Sequence, residues 1–258
     1  MGHASPCDAL VGADGIHSVV RAALFGQTNP RFTGCVAYRG LVPAARLASL
    51  NLPVEAQVWM GPDRHFVHYF VQNCNLVNFV AVVDQEAWVR ESWVESADVA
   101  QALAAFEGWH PQVRAILGAV DELFVWGLFD RPPMAQWSIG RSTLLGDACH
   151  AMLPFMAQGA AQAIEDGATL AACLMNIDRP QEVPAALRRY EALRLPRASQ
   201  VKEASRNNKI RFHLPDGPQQ QERDAQMASG STDWSFKAVQ WLYGHDAGSI
   251  DESARAPD

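Results

Sequence analysis

The pattern of apolar and polar positions is most telling between residues 142 and 174. Leu144 and Leu145 lie in a short apolar run that stops at Gly146-Asp147, which predicts a strand and a turn. After Pro154 the chain becomes small and helix-favouring, from Ala157 to Leu174. Ala160, Ala163, Ile164, Gly167, Ala168 and Ala171 recur at three- and four-residue spacing, the signature of one helix face. That face is mostly Ala and Gly, so the helix can lie close to a sheet or a flat ligand. Gln158-Gly159 stands at its start without a charge. A bare helix N-terminus carries free N–H donors and a partial positive charge, and it suits an anion.

Upstream, Ala9-Leu10-Val11 predicts a strand, Gly12-Ala13-Asp14-Gly15 a turn, and His17 to Phe25 a helix capped by Ser18 or Asp14. From Arg31 to Arg131 the texture is β-branched and aromatic. The runs Cys35 to Leu41, Ala56 to Met60, His65 to Val71 and Leu76 to Val83, separated by turn-formers, predict a mostly antiparallel sheet. Helices are expected over Ser96 to Glu107 and Pro111 to Ala119, then a strand over Leu123 to Phe129. Asn176 to Val183 reads as a loop and Ala185 to Arg211 as a helix, kinked near Pro196. Its Arg188, Arg189, Arg194, Arg197, Lys202, Arg206, Lys209 and Arg211 read as a solvated charged face. His213 to Gly230 is polar and reads as a loose connector, and Ala247 to Asp258 as a disordered tail.

Composition narrows the function classes. The chain has 258 residues, 48% apolar and 19% charged, enough to bury a core. A net charge of −7 without a Lys/Arg-rich run argues against a nucleic-acid partner. No apolar run approaches the roughly 20 residues of a membrane span, and the start lacks the apolar core of a signal peptide. Cys7, Cys35, Cys74, Cys149 and Cys173 show no CxxC pairing, which argues against a disulfide framework or a zinc site and fits a reducing, cytoplasmic setting.

The run from Ser142 to Leu174 resembles the second FAD-binding signature of the single-component flavoprotein aromatic hydroxylases, the group of salicylate, hydroxybenzoate and 6-hydroxynicotinate hydroxylases. The resemblance rests on Gly146, Asp147, His150, Pro154, Gln158, Gly159, Glu165 and Asp166, with Ala151 where close relatives often carry Pro. It implies that Asp147 bonds a ribityl hydroxyl of FAD and that the helix starting at Gln158, Gly159 and Ala160 faces the flavin pyrimidine. Pro154 would fix the intervening loop beside the ring. GADGIHSVVR resembles the family's other signature, in which Asp14 and Gly15 touch FAD and the nicotinamide donor. CVAYRGLVP and LVNFVAVVD resemble its substrate-binding layer, and WLYGHD its C-terminal segment. A Gly-Asp turn before an Ala-rich core helix is the plainer account of the first run, and the extended pattern outweighs it.

The implied fold is α/β with mixed α+β character: an incomplete Rossmann-like FAD-binding domain, an inserted mainly antiparallel substrate sheet and a long C-terminal helix. The expected division is 1–30 and 136–178 for the FAD-binding parts, 31–135 for the sheet, 179–246 for the helical region and 247–258 for the tail. The family's glycine-rich GxGxxG loop, which brings the FAD pyrophosphate to a helix N-terminus, is absent, so the chain reads as N-terminally incomplete.

His65 and Tyr69 stand four apart on an expected strand and so share a face, with His68 on the other. Such a pair could bind and deprotonate a phenol, and its spacing resembles a pocket pair of the hydroxynicotinate and hydroxybenzoate enzymes. Two half-buried aromatics packing on a sheet are the competing account. Arg39 is a flavin-side or carboxylate contact or a structural ion pair, and Phe155 a pocket-lining residue. The resemblance implies an FAD-dependent monooxygenase that uses NADH or NADPH and O2 to hydroxylate a small phenolic or heteroaromatic acid. It involves no nucleic acid, membrane or metal, and it leaves a homodimer open. The rivals are a metallohydrolase using Asp147 and His150, weakened by the lack of a second ligand cluster, and a non-catalytic truncated remnant that no longer binds FAD tightly.

Overall fold

The β-branched runs form strands and the Ala-rich runs form helices in the computed structural model, which describes residues 6–88, 95–230 and 237–249. The strands are β1 (Leu10–Gly12), β2 (Arg31–Pro43), β3 (Gln57–Gly61), β4 (Arg64–Val71), β5 (Leu76–Asp84), β6 (Glu95–Ser96), β7 (Phe124–Asp130), β8 (Ser138–Ile139) and β9 (Ser142–Leu144). The helices are α1 (Val19–Phe25), α2 (Val99–Ala105), α3 (Pro111–Gly118), α4 (Asp147–His150), α5 (Gly159–Leu174), α6 (Val183–Phe212), α7 (Pro218–Ala228) and α8 (Gln240–Tyr243). This is the mixed helix-and-sheet fold with a mainly antiparallel inserted sheet and a long C-terminal helix that the sequence implies.

The chain divides into two units, residues 1–31, 129–208 and 229–258, and residues 32–128 and 209–228. The first unit holds a three-stranded sheet of order β1-β9-β8, with β1 parallel to β9 and β9 antiparallel to β8. Its core gathers Trp137, Leu144, Leu170, Leu187 and Tyr190.

The second unit is built on a six-stranded sheet of order β3-β4-β5-β2-β7-β6. β3, β4, β5 and β2 pair antiparallel, with Trp59, Phe66, Ala81 and Tyr38 in one cross-strand row. Phe66, Phe79, Tyr38 and Val36 share a core with Phe106, Val113, Ile116 and Leu117 from the α2–α3 region. Phe66 stacks on Phe79 at 5.4 Å between ring centroids and meets Phe106 edge-on at 6.0 Å, the offset geometries aromatic quadrupoles favour.

Two elements differ from the sequence expectation. The segment read as a connector contains α7, started by Pro218 and held through Arg223, whose Nη1 donates to the Arg211 carbonyl at 2.8 Å. The helix expected from Ser96 begins later, at Val99, because Glu95–Ser96 pairs with β7 and Asp98 caps the helix by accepting from the Ala100 N–H at 2.8 Å. α6 runs from Val183 with Pro196 inside it. Most of the expected tail and part of the WLYGHD segment's approach lie outside the described residues. Among the described residues no helix is long and apolar enough to cross a membrane.

Candidate active site

In the first unit the two parallel strands deliver two turns to one place. β1 ends at Gly12, whose carbonyl accepts from the Leu145 N–H at 3.0 Å. The turn after it is stapled by Asp14, whose carboxylate accepts from the Val19 and Val20 N–H groups at 2.7 and 3.2 Å and from the Ser18 hydroxyl at 2.5 Å. Ser18 in turn accepts from the Arg21 N–H at 2.9 Å, so both candidate caps are used. Burial alone would raise the Asp14 pKa, but the hydrogen bonds from Ser18, Val20 and Val19 hold it below the usual carboxylate range.

After β9 the chain turns at Gly146, where φ is +65° and an added Cβ would stand 3.2 Å from Ala163 on α5. Glycine supplies both the left-handed backbone and the close approach to the helix. Asp147 follows with an exposed carboxylate that has no hydrogen-bond partner among the described residues. α5 then starts at Gly159 with no acidic residue in its first turn. Gly15, Gly146, Asp147, Pro154, Gln158, Gly159, Ala160 and Ala163 line one cleft of about 440 Å³. The Ala and Gly positions leave its walls flat, the helix end offers N–H donors, and Asp147 offers an acceptor. These features fit a flat heteroaromatic ring carrying a hydroxylated chain, as in FAD.

Beneath the cleft lies a buried ionic network that the sequence reading missed. Asp166 Oδ2 accepts from the Gly146 N–H at 2.9 Å and from His150 Nε2 at 2.6 Å, while its Oδ1 accepts from Arg194 Nε at 2.7 Å. Glu165 pairs with Arg194 Nη1 at 2.6 Å and Arg197 Nε at 2.7 Å. Burial would raise the Asp166 pKa, but bonds from His150, Arg194 and Gly146 hold it below the ordinary value. Thus α5 buries the polar stripe Gln162, Asp166 and Thr169, while Ile164, Ala168 and Ala171 on the expected small-residue face are exposed. The reading of α6 as a solvated charged face is corrected for the same reason. Arg194 and Lys202 are 1% and 3% exposed, and Lys202 donates to the Arg131 carbonyl. A period count scores Arg and Asp as polar and so cannot see that they pair inside. His150 lies buried on Asp166, and among the described residues its possible ligand group is Cys149, His150 and Asp166, without the Asp147 expected beside it.

In the second unit β4 places His65, Val67 and Tyr69 on one sheet face and Phe66 and His68 on the other. Tyr69 is 37% exposed and His65 is buried. His68 is buried against Phe66, and neither of its ring nitrogens has a hydrogen-bond partner among the described residues; burial lowers its pKa. His65 Nδ1 lies 2.7 Å from His213 Nε2, and His213 Nδ1 lies 2.9 Å from Asp84 Oδ1. Burial first, and then the neighbouring His213, lowers the His65 pKa to about 3, with Asp84 opposing. Arg39 is exposed on the face that carries His65, its Nε donating to Asn78 Oδ1 at 3.2 Å, and borders a cleft with Leu41, Asp121 and Trp126. Arg39 therefore belongs to the second unit, while the other cofactor-binding candidates belong to the first. Asp14 spends its carboxylate on the cap, and Phe155 is buried and does not line the cleft. Strand parity puts Cys35 and Asp84 on the His65 face, but His213 arrives from a distant segment and left no signal nearby.

The chain is 43% identical over 249 residues to a 3-amino-4-hydroxybenzoate 2-monooxygenase of Streptomyces platensis, covering 96% of this chain and 61% of the relative. It is 42% identical over 211 residues to a 6-hydroxynicotinate 3-monooxygenase of Pseudomonas fluorescens, covering 80% of this chain and 54% of the relative. The fold matches that of a salicylate hydroxylase solved in a substrate complex, with a TM-score of 0.80 at 29% identity, over 94% of this chain and 62% of that one. The chain thus spans about three fifths or less of the length of these proteins. The family described as FAD binding domain matches residues 5–205, and across that span lie both turns of the cleft, α5 and its buried ionic floor: the chain belongs to the FAD binding domain family.

Proposed function

We propose that the chain is part of an FAD-dependent monooxygenase that hydroxylates a small phenolic or heteroaromatic acid with NADH or NADPH and O2. The observation that carries this reading is the convergence of Gly15, Gly146, Asp147, Pro154, Gln158, Gly159 and Ala160 on one flat-walled cleft. The identity to aromatic-acid monooxygenases over nearly the whole chain supports an enzyme over a non-catalytic remnant.

Bound FAD supplies the oxygen chemistry. Asp147 would hold a hydroxyl of its sugar-alcohol chain, and the α5 N-terminus would favour negative charge on its ring system. Asp14 acts on the cofactor indirectly, by fixing the turn that presents Gly15. His65 and Tyr69 bind the substrate phenol, His65 taking its proton so that the ring becomes electron-rich. Arg39 offers a cation to the substrate carboxylate. The test supplies the protein with excess FAD, NADH or NADPH, and a panel of hydroxybenzoates, 3-amino-4-hydroxybenzoate and 6-hydroxynicotinate. Mass spectrometry then looks for a product with one added oxygen. FAD bound in the cleft with no oxygenated product from any member of the panel would sink the proposal.

A further inference from the structure

In the first unit, three successive carbonyl groups of the loop before α5 are taken by donors. The Leu153 carbonyl accepts from Ser205 Oγ at 2.6 Å, the Pro154 carbonyl from the Ala157 N–H at 2.9 Å, and the Phe155 carbonyl from Asn208 Nδ2 at 3.0 Å. Asn208 Nδ2 also lies 2.9 Å from Met156 Sδ. Ser205 and Asn208 are buried and stand three apart on α6, the spacing of neighbours on one helix edge. Leu153, Pro154 and Ala157 line the cofactor cleft, whereas Ser205 and Asn208 do not. The same helix also reaches the other turn. Lys202, three residues before Ser205, donates to the Arg131 carbonyl, and Arg131 Nε donates to the Ile16 carbonyl at 2.5 Å, next to Gly15.

The loop has a shape it would not keep unaided. Pro154 to Met156 make one 3-10 turn, and the chain leaves it through Ala157 at φ +51°. That left-handed backbone is unfavourable for alanine, whose Cβ crowds the following carbonyl oxygen. Such a residue persists only where its surroundings over-determine it. The two grips from α6 are among the contacts that do so. They also decide where the loop's dipoles point. A carbonyl bonded to α6 is not free to turn its negative end into the cleft, where the start of α5 offers N–H groups.

We propose that Ser205 and Asn208 are positioning residues that hold loop 153–157 in the shape that walls the cleft and keep its carbonyl oxygens off a bound ring. The inference rests on the FAD reading for the identity of the ring. Neither residue lines the cleft, so both act through the loop. A loop held in place before binding need not be ordered by the ligand, which raises affinity for any flat ring. Keeping the carbonyl oxygens away adds a second effect, one that depends on charge. It favours the ring most when reduction has made it anionic. Removing either donor frees a carbonyl, so it weakens binding of the reduced ring more than that of the oxidised one.

Two measurements on the 258-residue chain decide the matter. Amide hydrogen exchange needs no ligand. The Ala157 N–H should exchange about tenfold faster in Ser205→Ala and in Asn208→Ala, the worth of one hydrogen bond. It should stay protected in Leu187→Ala, which empties a core position elsewhere on α6. Wild-type protection in both loop variants overturns the proposal; should neither fold, a wild-type Ala157 N–H that exchanges like an unstructured peptide overturns it equally. The second measurement titrates FAD in its oxidised and dithionite-reduced forms. Each loop variant should lose about tenfold in affinity for oxidised FAD and about tenfold more for reduced FAD, which lowers the potential of bound FAD by about 30 mV. Leu187→Ala should leave the ratio of the two affinities unchanged. Unaltered affinities, equal losses for the two forms, or a potential shift shared by Leu187→Ala overturn the proposal. FAD that binds wild type in neither form, with Ala157 exchange rising as stated, sinks the FAD reading and leaves the positioning of the loop standing.

Discussion

His150 and Asp166 are joined by a 2.6 Å hydrogen bond in the floor of the candidate cofactor cleft, and the same carboxylate oxygen holds the Gly146 N–H at 2.9 Å. The turn that offers Asp147 to the cleft is thus fixed from below by a group that need never touch the cofactor. Asp166→Asn removes the charge that faces Arg194 and leaves a guanidinium buried at 1% exposure with less compensation. Breaking one partner of a buried pair costs about 3–5 kcal/mol. Urea unfolding should show a loss of that order, and a variant as stable as wild type would remove the network from the account.

Asp147→Ala should behave oppositely, because its carboxylate is exposed and has no partner among the described residues. Stability should change little. FAD affinity should fall by the worth of one charge-assisted bond, about 1.5–3 kcal/mol, or roughly 10- to 150-fold. Flavin fluorescence titration reads this directly, and an unchanged dissociation constant would take Asp147 out of the site.

His65→Ala and Tyr69→Phe should slow ring hydroxylation by about 10²–10⁴-fold if the pair activates a phenol. FAD binding should persist, since neither residue lines the cleft of Gly146 and Asp147. The assay is product formed per nicotinamide oxidised. Equal coupling in both variants and wild type would mean that the pair only packs.

His68 gives a test of a different kind. It lies 1% exposed on the core face, and both ring nitrogens lack hydrogen-bond partners among the described residues. An unpartnered buried polar group costs about 1–3 kcal/mol, so His68→Leu should raise the unfolding free energy by about 1 kcal/mol. A clear loss of stability would show that the ring makes contacts whose packing matters more.

Stability should fall with acid earlier than carboxylates alone require. His65 has its pKa lowered to about 3 in the folded chain against an ordinary 6.5. Between these values the unfolded chain binds a proton that the folded chain refuses. Its contribution is therefore full above pH 6.5 and is lost as pH falls toward 3. Asp166, Asp130 and Asp84 are also lowered, from 3.8, so their stabilisation is lost further down, as pH falls below that ordinary range. His65→Phe should flatten the slope of stability against pH between 6.5 and 4. An unaltered slope would contradict the assignment of buried neutral His65.

Much of the cleft was legible in the sequence because local chemistry makes it. Gly146 is required by a left-handed backbone, Ser18 and Asp14 by the orphan N–H groups of α1, and the uncharged Gln158-Gly159 start by the helix end it leaves open. The strands of the second unit were legible for the same reason: alternation along His65 to Val71 assigns faces correctly. What escaped was every feature made by pairing across distance. Arg194 and Asp166 are 28 residues apart, and His65 and His213 are 148 apart. Each alone looks like a surface residue or an isolated imidazole, and only the tertiary partner makes its burial affordable. α7 escaped because its polar composition suits a loop as well as a helix.

The division of the chain has a consequence for its synthesis. β1 must pair with β9, so Leu10 waits for Ser142 and Val11 for Thr143 before the first sheet can form. β3, β4 and β5 by contrast follow one another through short turns and pair with near neighbours. Contacts close in sequence form at lower entropic cost than those that close long loops. A nascent chain leaving the ribosome therefore carries an assembled inserted sheet while the strand that precedes it is still waiting. A stalled ribosome would thus hold paired β3, β4 and β5 beside a β1 whose partner strand has not yet been made.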